Sequence, residues 1–343
     1  MRHGAFPGTV DPDQVPYYLL FVGGPESIPF SFTHELAFEY AVGRICFDTA
    51  EEYAAYARSL VDYETGPALE QTREAVFFAT EHDGDRATEY SSRFLVEPLL
   101  ENVRKMKNCR AAPLLGECAT KAALLERLRG SSPALLFTAT HGLGWQSGHP
   151  REEQGALVCQ EWPGFGKMQP ETYFAARDVP PDAALHGTVA FLYACFSAGT
   201  PFEDPYFHGT GQPGPHDAPK PYFSSLPKAL LAHPAGGALA VVGHVAPSLA
   251  TSFMPDGDWA KPDAYAQAIE RILSNLPMGV ALRDFRDRYA AFSITIARLA
   301  YAAAAQAKVP ALKLASLWSQ RNDAEGFILL GDPAARLRAG SSS

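Results

Sequence analysis

Six short apolar runs recur along the chain, at Tyr17 to Val22, Ala75 to Ala79, Ala134 to Ala139, Thr188 to Ala194, Ala238 to Val242 and Phe327 to Leu330, and none alternates regularly with polar residues. A strand with one wet face alternates. A run that does not alternate suits a strand covered on both faces, as in a parallel sheet between helical layers. Helical patterns lie between the runs. Thr49-Ala-Glu-Glu52 is a capping box followed by Tyr53, Ala57, Leu60 and Val61 at helical spacing. Further helices are predicted over Cys118 to Arg129, Leu226 to Ala232, Pro262 to Ser274 and Val280 to Gln306. The alternation predicts the α/β class with a mainly parallel sheet. At about 150 residues per unit, 343 residues make roughly two units. A break at Tyr63 to Pro67 divides the chain into an expected N-terminal α/β subdomain, 1–65, and a larger one, 66–343. Two Gly- and Pro-rich stretches, Leu143 to Pro170 and Thr200 to Pro221, interrupt the rhythm, and loops of that length are usually functional.

Composition narrows the classes. With 47% hydrophobic and 20% charged residues the chain is neither disordered nor coiled coil. Lys and Arg total 29 against 38 Asp and Glu, a net charge of −9. That sign is wrong for broad phosphate-backbone binding, so no nucleic-acid partner is expected. Five cysteines without a CxxC pair, Cys46, Cys109, Cys118, Cys159 and Cys195, argue against a disulfide framework or structural zinc and for reduced thiols in a cytoplasm. No signal peptide is legible in Met1 to Gln14 and no 18-residue apolar run occurs, so no membrane partner is expected.

In an open parallel sheet, reactive groups collect beyond the carboxyl ends of strands. Two runs end in such residues. Leu135-Leu-Phe-Thr-Ala-Thr140 leads to His141-Gly142, and Thr188-Val-Ala-Phe-Leu-Tyr-Ala194 leads to Cys195-Phe-Ser-Ala-Gly199. On neighbouring strands His141 and Cys195 would form a dyad, because a thiol needs a nearby base to supply thiolate at neutral pH. The N–H groups of Gly142 and Cys195 could then receive an oxyanion. A lone cysteine at a strand end is more often core than nucleophile, and the pairing with His141 carries the reading. The other four cysteines lack such a context. No histidine pair has metal-ligand spacing, so no metal is expected. Gly142, Gly144 and Gly148 only imitate a dinucleotide fingerprint, so no cofactor is expected either. The absence of GxSxG removes the commonest serine hydrolase on such a sheet.

At these residues the chain resembles the caspase-like cysteine peptidases, and more closely their gingipain-type and bacterial CHAT-domain branch. The resemblance runs from Tyr17-Tyr-Leu-Leu-Phe-Val-Gly-Gly-Pro-Glu-Ser-Ile-Pro29 and Tyr40-Ala-Val-Gly-Arg-Ile45 through Thr140-His141-Gly142 and Ala194-Cys195. It continues in Gly237-Ala-Leu-Ala-Val-Val-Gly243 and Leu329-Leu-Gly-Asp-Pro-Ala-Ala-Arg-Leu337. It implies a three-layer caspase-like fold, with His141 as general base and Cys195 as nucleophile of peptide-bond hydrolysis through an acyl-enzyme. It also implies that Glu81 orients the histidine. Glu89 is then the best match to the acid that recognises Arg or Lys before the cut, with Asp85 and Asp83 as rivals. Thr140, His244 and Leu249 would line the substrate groove, although Pro247-Ser-Leu249 stands where this family often has a tryptophan. The acidic stretch Glu81 to Glu89 reads equally well as a solvated loop. Implied partners are a protein or peptide substrate and a regulatory protein or domain, as for proteases of bacterial defence systems. Two other readings remain open: a catalytically silent partner-binding module, and a small-molecule hydrolase or transferase using the same dyad.

Overall fold

The computed structural model describes residues 5–6, 9–66, 73–144, 150–207, 214, 218, 220–255, 259–306 and 308–338. Gly148, His149, His208, His216 and much of the 200–221 stretch lie outside them.

Eight strands form one central sheet: β1 (Tyr18–Val22), β2 (Ala41–Ile45), β3 (Glu74–Ala79), β4 (Arg110–Leu115), β5 (Leu135–Ala139), β6 (Val189–Tyr193), β7 (Ala240–His244) and β8 (Phe327–Gly331). Their spatial order is β1-β2-β8-β7-β6-β5-β3-β4. Every neighbouring pair is parallel except β7 with β8. The sheet is therefore continuous across residue 65, because β8 from the end of the chain joins β2 to β7. β4 was not legible as an apolar run. It is an edge strand containing Pro113, and it has no second neighbour to require one.

The helices α1 (Phe30–Leu36), α2 (Ala50–Thr65), α3 (Arg86–Tyr90), α4 (Glu97–Lys105), α5 (Lys121–Arg129), α6 (Ser225–Leu231), α7 (Asp263–Leu273), α8 (Met278–Ala281), α9 (Arg283–Ala304) and α10 (Ala311–Gly326) cover the sheet. The capping box at Thr49 and Glu52 starts α2 as expected. Leu99, Ile269, Met278 and Phe285, from α4, α7, α8 and α9, pack on one face. Leu124, Leu128, Leu226 and Leu230, from α5 and α6, pack on the other. This is the three-layer arrangement. The predicted helix Val280 to Gln306 resolves into α8 and α9, and α10 returns antiparallel to α9 with Lys308 to Pro310 in the link.

The middle of the sheet is fully buried. Phe77, Phe137 and Phe191 stand side by side in register on β3, β5 and β6. Their ring centroids lie 5.8 and 5.2 Å apart. Aromatic contacts of this kind add to the burial of area and hold the three strands in one frame. The carboxyl ends of β3, β5, β6 and β7 consequently open at the same edge of the sheet.

Candidate active site

His141 lies two residues beyond the end of β5 and Cys195 two residues beyond the end of β6. The strands pair with Ala139 opposite Tyr193, and the Thr140 N–H continues the ladder to the Tyr193 carbonyl at 3.1 Å. One further step sets His141 beside Cys195. Gly142 lies so close to the Cys195 main chain that a Cβ there would sit 1.9 Å from the Cys195 carbonyl oxygen, so no other residue fits. Phe196, next to the thiol, has φ +56°, a left-handed conformation rare for an aromatic residue. Such strain persists only where the surroundings enforce it, and here it turns the chain sharply after the cysteine.

Burial pushes the Cys195 thiol above its ordinary pKa. The N–H groups of Ser248, Gly142 and Cys195 itself pull the other way, and the buried carboxylate of Asp323 reinforces the rise. The Ser248 N–H donates to Sγ at 3.3 Å. Among the described residues neither the Gly142 nor the Cys195 N–H donates to a main-chain carbonyl.

The carboxylate that holds the histidine is Asp85, whose Oδ2 lies 2.6 Å from His141 Nε2. Asp85 caps the N-terminus of α3 by accepting the Ala87 N–H at 3.1 Å, and it accepts the Thr88 hydroxyl at 2.9 Å. Burial alone would raise this carboxyl, but His141, Thr88 and the Ala87 N–H together hold it below the ordinary range. The contact engages Nε2 and leaves Nδ1 as the other ring nitrogen. Trp162 presents its ring edge-on to His141, centroids 5.7 Å apart and planes at 90°. Trp162 belongs to a small cluster with Leu143, Val158 and Tyr173, which gives the 143–170 stretch a core of its own.

The remaining expected site residues are placed as follows. Glu81 does not touch His141: its Oε1 pairs with Arg93 at 3.0 Å, because Arg93 reaches back from the π-helical turn Ser91–Val96. Glu89 pairs with the same guanidinium at 3.1 Å. Asp83 is exposed in the turn between them. Thr140 is buried, with its hydroxyl bonded to the Val158 carbonyl and the Thr80 hydroxyl. His244 does not face a groove: it has no exposed surface, and burial lowers its pKa to about 4, so it is neutral. Its Nε2 lies 3.0 Å from the Asp323 carbonyl and its Nδ1 2.7 Å from the Ala246 carbonyl, so the single N–H of the neutral ring serves one of these two oxygens. Leu249 is half-buried, and its N–H donates to Asp323 Oδ1 at 2.8 Å. Among the described residues no cluster of His, Cys, Asp and Glu could hold a metal ion. No helix among them is long and apolar enough to cross a membrane.

Three contributors had no distinct sequence signal. Asp85 is one of four neighbouring acids, although Asp85-Arg-Ala-Thr88 is a capping pattern. Trp162 lies within the stretch expected to be functional, and Asp323 is one of two acids on α10, with Glu325.

Comparison with known proteins bears on the fold and the family. No curated protein matches the chain by sequence. Among solved structures, the Arg-specific cysteine proteinase gingipain R superposes with a TM-score of 0.55 at 13% identity, covering 93% of this chain and 63% of that one. A complex of the pro- and mature domains of the Porphyromonas gingivalis enzyme superposes with 0.53 at 13% identity, covering 93% and 65%. A further structure, described only as a protease, superposes with 0.54 at 10% identity, covering 95% and 65%. This chain thus spans less than two-thirds of the length of the structures it matches, and the likeness is one of fold: the caspase-like three-layer sheet. The model of peptidase family C25 matches residues 8–338, so the chain belongs to that family of gingipain-type cysteine peptidases.

Proposed function

We propose that this chain is a cysteine endopeptidase in which Cys195 is the nucleophile, His141 the general base and Asp85 the group that orients it. The observation that carries the reading is the 2.6 Å contact between Asp85 and His141 on the strand beside Cys195. Nucleophile, base and orienting acid is the constellation an acyl transfer needs. His141 takes the thiol proton at Nδ1, and the thiolate attacks the peptide carbonyl carbon. The carbonyl oxygen becomes an oxyanion facing the Gly142 and Cys195 N–H groups. Collapse breaks the C–N bond, and His141 returns the proton to the leaving amine. A water then repeats the attack on the thioester, with His141 again as base, and releases the acid and the thiol. Asp85 keeps Nε2–H directed at itself throughout and stabilises the imidazolium.

The side chain before the cut is basic in this reading. Arg93 lends support: Glu81 and Glu89 hold its guanidinium together, one carboxylate to each terminal nitrogen, which is how a bound arginine would be received. The name of gingipain R, Arg-specific, points the same way. Asp83, exposed beside the pair, adds negative field. Control by a protein partner or further domain, as in a bacterial defence system, belongs to the same reading.

Cleavage of a fluorogenic peptide library tests the proposal. Hydrolysis after Arg or Lys by the wild type, abolished in Cys195→Ala, is the expected result; hydrolysis surviving that substitution rejects it. The elevated thiol pKa also favours a second reading, a silent module that binds a partner. In that case Cys195 alkylates no faster than the exposed Cys118.

A further inference from the structure

We infer that Asp323 is a positioning residue for Cys195: from α10 it fastens the loop that lays the Ser248 N–H on the sulfur, and it sets its own charge against the thiolate. The inference rests on the proposed role of Cys195. The loop 245–249 leaves β7 and crosses above the thiol. On one side it is tied to the cysteine turn, with the Phe196 N–H donating to the Ala246 carbonyl at 3.1 Å and the Ser248 N–H donating to Sγ at 3.3 Å. On the other side it is tied to α10. The Leu249 N–H donates to Asp323 Oδ1 at 2.8 Å, and His244 Nε2 lies 3.0 Å from the Asp323 carbonyl. The adjacent Asn322 amide donates to the Pro205 carbonyl at 2.6 Å, and the Tyr206 hydroxyl donates to Pro247 at 2.9 Å. Two successive side chains of one helix thus hold both loops that flank the thiol.

The packing beneath is close enough to require this arrangement. A Cβ at Gly326, one turn further along α10, would sit 2.1 Å from His244 Cε1. Asp323 has no exposed surface, and its Oδ2 has no hydrogen-bond partner among the described residues. The titratable groups around it come from every neighbouring element. They are His244 on β7, Arg288 on α9, Tyr193 on β6, Tyr265 on α7, Tyr206 in the 201–207 loop, and Cys195 itself. Burial raises the carboxyl to about 7, against weaker opposing effects from the Leu249 N–H and Arg288. Near neutral pH the residue therefore changes charge beside the nucleophile. Its acceptor oxygen helps the thiolate by placing Ser248, and its charge opposes it.

Asn keeps the acceptor and drops the charge, whereas Ala drops both, so the two substitutions separate the roles. The measurement is the rate of Cys195 alkylation by iodoacetamide from pH 5 to 9, followed by mass spectrometry of the full chain. Asp323→Asn is expected to move the profile to lower pH and to raise the rate at pH 7 by at least about threefold, the factor half a pKa unit makes in thiolate fraction. The inflection near pH 7 should vanish with it. Asp323→Ala is expected to lose at least about tenfold in kcat/KM on a peptide substrate, and Asn to restore it. A profile for Asp323→Asn that superimposes on the wild type overturns the inference, and so does equal loss in both variants. Alkylation needs no peptide cleavage. A shifted profile in an enzyme that cleaves nothing therefore counts against the proposed function alone.

Discussion

Asp85→Asn is the sharpest test of the site, because it asks which carboxylate holds His141. The structure joins Asp85 Oδ2 to His141 Nε2 at 2.6 Å and turns Glu81 away onto Arg93. Asn caps a helix about as well as Asp, so α3 should remain and the melting temperature should barely change. What is lost is the charge on one hydrogen bond. A bond to a charged group contributes about 1.5–3 kcal/mol. At about 1.36 kcal/mol per factor of ten, that is roughly a 10- to 150-fold fall in kcat/KM. Glu81→Gln removes only one side of a half-exposed pair, of the kind that contributes about 0–1 kcal/mol, and it does not touch the base. It should change kcat/KM by about twofold or less on a substrate lacking Arg and Lys before the cut. The assay is initial-rate hydrolysis, with the alkylation rate of Cys195 as a readout independent of substrate. If Glu81→Gln lowers both rates as much as Asp85→Asn does, the reasoning from the observed contact fails.

Gly142→Ala forces a methyl group to within 1.9 Å of the Cys195 carbonyl oxygen, so the N–H at 142 must move away from the oxyanion. We expect kcat to fall by about 10²–10³-fold with a smaller change in KM, measured by initial rates. Phe137→Ala empties the space between Phe77 and Phe191, where the ring is fully buried, and should cost about 3–5 kcal/mol in denaturant unfolding. The pH dependence of stability should depend on a balance between two buried groups. His244 titrates at about 4 when folded, so between about 6.5 and 4 the unfolded chain binds a proton there that the native state does not, and stability falls as pH falls. Asp323, raised to about 7, does the opposite over much of that window, because the native state holds the extra proton. Asp323→Asn removes this offset, so its melting temperature should drop more between pH 7 and pH 5 than that of the wild type.

The parallel core was readable because both faces of β3, β5, β6 and β7 are covered. Burial on two sides leaves no polar alternation, and the string shows it directly. β4 and α1 were hidden for the converse reason. β4 is an edge strand and needs no continuous apolar run, and α1 buries only Phe30 and Thr33. The proposed dyad follows from topology, since two reactive residues ending adjacent parallel strands come to one edge. The carboxylate in contact with His141 did not follow. Glu81, Asp83, Asp85 and Glu89 are four similar carboxylates within nine positions, and their order does not say which one faces the histidine. That choice is made by the helix start. Asp85 caps α3, which fixes its backbone and directs its second oxygen toward the end of β5, while Arg93 on the following turn draws Glu81 and Glu89 away. Asp323 escapes sequence reasoning more completely, because it reaches the thiol only through the fold. It lies on the return helix of a hairpin, next to the strand that pairs antiparallel with β7, 128 positions beyond Cys195 (323 − 195). A residue tuned by burial has no local pattern to betray it, so the sequence of α10 alone presents Asp323 as an ordinary polar residue.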